Sequence, residues 1–79
     1  MTIPLDQLPP SQWAAIALFK GGEKMHQRMT QHGIYPGDKV RIIRTAPLKG
    51  PYLVEVSGRE IILGRTLAAH ILVETEEKE

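Results

Sequence analysis

Gly33-Ile34-Tyr35-Pro36-Gly37-Asp38-Lys39-Val40-Arg41-Ile42-Ile43-Arg44-Thr45-Ala46-Pro47-Leu48-Lys49-Gly50-Pro51-Tyr52-Leu53-Val54-Glu55-Val56 is the stretch whose reading decides the fold. Pro36-Gly37 suits the centre of a type II turn, where proline presets the first φ and glycine accepts the positive second one. Asp38 follows that turn, and its expected role is to cap a backbone N–H. Val40 and Ile42 alternate with Arg41, the period of a half-buried strand. Ala46-Pro47 ends the strand, because proline cannot donate to a ladder. Lys49-Gly50-Pro51 turns the chain into Tyr52, Val54 and Val56, which alternate again.

Upstream, Gly33 suits the left-handed position that closes a helix. Glu23–His32 is the one good helix pattern, with Met25, Met29 and His32 on one stripe. A helix this short is unstable alone in water and must pack on the strands. Trp13–Phe19 is an apolar run bounded by turn signals and reads as the first strand. Its alternation places Ala14, Ile16 and Leu18 on one face and Trp13, Ala15, Ala17 and Phe19 on the other. Before it, Pro9-Pro10 bars helix, and Ile3, Leu5 and Leu8 can lie over one end of the core.

Downstream, Ser57-Gly58 predicts a hairpin into Arg59–Leu63, with Ile61 and Leu63 inward and Glu60 and Ile62 outward. Gly64–His70 reads as a single helical turn that tucks in Leu67 and Ala68. Ile71-Leu72-Val73 is the last strand. The expectation is a mainly β fold: five short strands closed into a small barrel, with one inserted helix.

The chain has 79 residues and no cysteine. At this size only about 60% of the unfolded surface is buried, and neither disulfides nor thiolate metal sites can reinforce the core. One domain is expected, with its core over about residues 3–74 and an acidic tail over 75–79. No apolar run approaches membrane-helix length, and no signal-peptide pattern opens the chain. These features predict a cytoplasmic protein. Net charge is +1, but residues 1–73 carry nine bases and five acids, a net +4, because four glutamates crowd the end. The bases are scattered, as on an ordinary solvated surface.

The ordered set Arg28-Met29, Gly33-Ile34-Tyr35-Pro36-Gly37, Ala46-Pro47-Leu48, Gly50-Pro51, Val54-Glu55-Val56, Gly58, Ile62-Leu63, Leu67-Ala68 and Ile71-Leu72-Val73 resembles the FeoA family. It departs from the family pattern at His32, where an apolar residue is usual, and at Gly64, where arginine is frequent. The resemblance implies an SH3-like barrel and a cytoplasmic, stand-alone accessory role in bacterial ferrous iron uptake. The implied partner is the cytoplasmic part of the FeoB-type permease.

Chemistry read from the residues points the same way. No GxxxxGK[ST] segment cradles a phosphate, and Ser11 and Ser57 sit in no nucleophile elbow, so no enzyme, catalytic residue or cofactor is expected. His26 and His32 fall on different helix faces, and methionine thioethers suit Cu(I) better than Fe(II), so no dedicated metal site is expected. Partner binding remains. Tyr35, Leu48 and Tyr52 are candidate anchors beside the turns, and Met25 and Met29 form a second candidate surface. Two alternatives stand beside the adaptor: a metal-binding or metal-sensing domain, and a nucleic-acid-binding barrel.

Overall fold

A computed structural model describes residues 1–75; the acidic tail expected at the end lies almost wholly outside the described residues. The strands are β1 (Thr2–Pro4), β2 (Ala14–Phe19), β3 (Lys39–Thr45), β4 (Tyr52–Val56), β5 (Arg59–Leu63) and β6 (Ile71–Thr75). Helix α1 spans Gly22–Gln31 and the short α2 spans Arg65–Ala69, with a 3₁₀ turn at Leu5–Gln7. All pairings are antiparallel, in the order β1-β6-β2-β3-β4-β5.

The mainly β character and the single main helix agree with the sequence, but two details differ. Among the described residues there are six strands, not five, because the entry segment pairs Thr2, Ile3 and Pro4 with Glu74, Val73 and Leu72. Pro4 is acceptable there because β1 is an edge strand, where a missing donor can face solvent. The ladder is also open: among the described residues β1 and β5 are its two ends and do not pair. Instead, the 3₁₀ turn after β1 packs on α2, which follows β5. The sheet therefore curls until its ends meet through these two elements rather than through backbone hydrogen bonds.

The curl encloses one apolar cluster. Ala14 and Ile16 of β2, Val40 and Ile42 of β3, Tyr52, Val54 and Val56 of β4, Leu63 of β5, and Ile71 and Val73 of β6 all point into it. Leu5 and Leu8 close one end, with Ile3 packed against them, as the entry segment's apolar spacing predicts. Ala68 is buried and Leu67 packs beside it, so the helical turn before β6 is a plug.

Two bulges set which side chains face outward. In β2 the register against β6 shifts between Ile16 and Leu18. The extra residue reverses the alternation, so Leu18 is exposed and Phe19 packs on the core, opposite to the strict period-two expectation. In β3 the register against β4 shifts between Ile42 and Arg44. Arg44 thereby pairs with outward-facing Leu53 instead of following Val40 and Ile42 inward.

The turns follow the sequence closely. Gly33 has φ +78°, its N–H donates to Thr30 O at 2.9 Å, and the Ile34 N–H donates to Met29 O at 3.0 Å. This is a Schellman closure, completed by apolar contact between the two residues it joins. Met29 and Ile34 are both fully buried. Gly37 has φ +94° and the Asp38 N–H donates to Tyr35 O at 3.1 Å, the type II turn expected at Pro36-Gly37. The Asp38 carboxylate in turn accepts the Tyr35 N–H at 3.0 Å. Val56 and Arg59 pair across the two-residue Ser57-Gly58 turn.

Candidate functional site

Among the described residues, the loop joining β3 to β4 is where two consecutive non-glycine residues adopt positive φ. The Ala46 N–H donates to Pro51 O at 3.0 Å, and the Gly50 N–H donates to Pro47 O at 3.1 Å. Between them Leu48 and Lys49 have φ +60° and +58°. This is a type I′ geometry, usually given to Asn-Gly, built here from two residues with Cβ atoms. Each left-handed non-glycine residue costs roughly 1 kcal/mol or more. Leu48, at the tip, is 98% exposed. An exposed leucine on a strained turn gains little for the fold.

Beside the loop, on the outer face of the sheet, lies a shallow depression of about 170 Å³ lined by Arg44, Ala46, Pro51, Tyr52, Leu53 and Ile62. Leu53 and Ile62 face each other across β4 and β5. Ile62 is 69% exposed. Leu53 and Ile62 thus lie on the outer sheet face next to the loop that carries Leu48, with the cation Arg44 on its rim. The β3 bulge that turns Arg44 outward also builds this rim.

The sequence-selected residues divide sharply against this surface. Leu48 stands at the tip of the loop whose two ends, Ala46 and Pro51, line it. Tyr35 is half-exposed but precedes β3, whereas Leu48 follows it, so the whole strand separates them. Tyr52 lines the depression only by its edge and is otherwise a core residue: it is buried, its hydroxyl accepts a 2.8 Å hydrogen bond from Arg65 Nη1, and the guanidinium lies 4.9 Å from the ring centroid. Met29 is fully buried and Met25 packs partly against the core, so the methionine stripe faces inward. Met29 lines no open surface and Met25 keeps only part of its side chain exposed, because α1 uses its apolar stripe to hold the sheet. Leu53 and Ile62 were not selected from sequence, although an isoleucine on the outward phase of a hairpin was the available signal.

Trp13 marks a second exposed patch, beside Lys39, Ser57 and Gly58. Arg41 lies 5.0 Å from the tryptophan ring centroid and is ion-paired with Glu55 at 2.8 Å. The base is therefore already engaged by a carboxylate of its own chain.

The histidines serve as helix ends and packing groups. His32 Nδ1 lies 2.8 Å from Arg28 O, and His70 Nδ1 lies 2.8 Å from Thr66 O. A carbonyl only accepts, so each ring donates through Nδ1 and caps the last turn of its helix. His26 packs at 5.5 Å against Phe19. Among the described residues no three His, Asp or Glu side chains gather to hold a metal ion.

The FeoA domain model matches residues 3–75. The chain belongs to the FeoA family. Solved structures agree with this FeoA assignment. An iron uptake regulatory protein (FeoA) superposes with a TM-score of 0.82 at 24% identity, covering 94% of this chain and 96% of that one. Iron(II) transport protein A from Clostridium thermocellum gives 0.83 at 29% identity over 92% of this chain and 45% of that one. A manganese-dependent transcriptional repressor gives 0.83 at 17% identity, with the FeoA chain spanning 42% of its length. At that identity the likeness to the repressor concerns the SH3-like fold alone. A comparison with curated proteins gives no match. Among the described residues of this FeoA chain no helix is long and apolar enough to cross a membrane.

Proposed function

We propose that this FeoA chain is a non-enzymatic, cytoplasmic adaptor that binds the cytoplasmic part of a FeoB-type permease and modulates Fe(II) transport. Membership of a family tied to ferrous iron transport supports the system in which it works. The observation that carries the docking role is Leu48, an almost fully exposed leucine held on a left-handed turn beside the Leu53–Ile62 depression. Burying one leucine contributes about 1.5–3 kcal/mol, enough to make Leu48 a main anchor of a transient complex.

The test is binding of the purified chain to the cytoplasmic region of the permease, with and without guanine nucleotide. Leu48→Asp is expected to weaken the complex at least about tenfold while the variant stays folded, because the side chain touches nothing in its own fold. A variant that binds as well as wild type rejects this surface.

A further inference from the structure

β5 ends the ladder with one edge unpaired among the described residues. Val56 and Arg59 flank a two-residue turn and so form a hydrogen-bonded pair; bonded and non-bonded pairs then alternate. Val54–Ile61 and Tyr52–Leu63 are the other bonded pairs. The N–H and C=O groups of Glu60 and Ile62 therefore point away from β4. No backbone or side-chain group among the described residues bonds to them. This edge borders the Leu53–Ile62 depression.

The charges along the outer face are unbalanced. Glu60 stands opposite Glu55 in a non-bonded pair, the closer of the two spacings. Arg41 engages Glu55 at 2.8 Å. Among the described residues Glu60 has no cation, and like charges directly opposite repel.

Resting on the adaptor reading, we propose that β5 accepts an extended segment of the partner protein as an antiparallel seventh strand. That segment carries an apolar residue opposite Ile62 and a lysine or arginine opposite Glu60, the order apolar–any–basic from its N-terminal side. Backbone hydrogen bonds to Glu60 and Ile62 supply the pairing, while Ile62 and the Glu60 carboxylate select the side chains. A second copy of this chain fits less well. Self-pairing centred on Ile62 sets Glu60 against the other copy's Gly64. Centring on Ile61 sets it against Ile62, and centring on Glu60 sets the two carboxylates together. None of these supplies a base.

The probe is an acetylated octapeptide of alternating valine and threonine, with lysine two residues after its central valine, titrated into the isotopically labelled chain. Amide shifts and slowed exchange are expected at Glu60 and Ile62, with binding about threefold tighter than for a glutamate version of the peptide. Glu60→Lys is expected to reverse that preference. Ile62→Pro removes an edge donor but no bond to β4, so the variant keeps a folded spectrum and loses the peptide, whereas Ile62→Thr retains it. Shifts confined to another surface, undiminished binding by folded Ile62→Pro, or a dimer that Ile62→Pro dissolves would each overturn the proposal. Against the permease region, loss of binding by Leu48→Asp but not by Ile62→Pro rejects the strand and keeps the adaptor. No binding by wild type rejects the adaptor, and the peptide titration then decides the edge alone.

Discussion

Arg65 Nη1 donates a 2.8 Å hydrogen bond to the Tyr52 hydroxyl while its guanidinium lies 4.9 Å from the same ring. This contact ties the start of β4 to α2 and holds the plug against the sheet. Tyr52→Phe removes the hydrogen bond and leaves the ring in the core. The expected loss is about 1 kcal/mol in urea unfolding, with permease binding unchanged. A loss of binding at unchanged stability would return Tyr52 to the docking surface.

The β3–β4 turn carries backbone strain at Leu48 and Lys49. Replacing Leu48 with Asn and Lys49 with Gly installs the pair that type I′ geometry favours. Relief of two left-handed side chains, less the added freedom of glycine in the unfolded chain, is expected to stabilise the domain by about 1 kcal/mol. The thermal midpoint rises while affinity for the permease falls, because the exposed leucine is gone. Higher stability with intact binding would show that the strain serves nothing at this site.

Met29 closes α1 onto the core. Met29→Ala is expected to cost about 2–5 kcal/mol, a large share of what a domain this small possesses, whereas Met29→Leu costs less than about 1.5 kcal/mol. Loss of dispersion in the proton spectrum checks the first, and a denaturant midpoint checks the second. Gly33→Ala acts at the same closure, since φ +78° is unfavourable to a side chain and a Cβ there lies 2.9 Å from Arg59 Nη2. Arg59 Nη2 donates to Gly33 O at 2.6 Å, so that variant disturbs the hairpin contact as well.

Glu74 gives a pH dependence whose sign is fixed. The N-terminal ammonium, hydrogen-bonded at 2.6 Å, and then the Thr2 hydroxyl, also at 2.6 Å, hold its carboxyl below the ordinary glutamate range. A depressed folded value means that the stabilisation is fully present above the ordinary range. It is lost as pH falls through the folded value. Both partners are exposed, so the effect is small and screened by salt. Glu74→Gln is expected to be slightly less stable than wild type near neutrality and equal to it in strong acid, read from urea midpoints at low salt. A gap that persists in acid would assign the effect to something other than this charge.

Local signals carried most of the fold because they depend on few residues. The Pro36-Gly37 turn, the Gly33 closure, the Ser57-Gly58 hairpin and the alternation of β3, β4 and β5 are dictated by backbone sterics and side-chain period. Strand β1 was obscured by Pro4 and Pro9-Pro10, which discourage strands in general but not at an edge. The reversed phase of Leu18 and Phe19 follows from a bulge, and a bulge arises only when two strands with their own registers meet.

The candidate site divides the same way. Leu48 was visible as an apolar residue between Pro47 and Lys49 in a turn, and Ile62 as an apolar residue on an outward phase. By themselves the amino acids determined the strand and turn pattern, the membership legible in it, and the short apolar helix face that must be covered. Only the tertiary structure decided that Tyr52 and Met29 go inside, that Leu48 stands almost fully clear of the fold, and that β5 is left as an edge. The reason is that burial and edges belong to neighbours distant along the chain: which groups end up covered is settled when the sheet curls, and no local stretch encodes that alone.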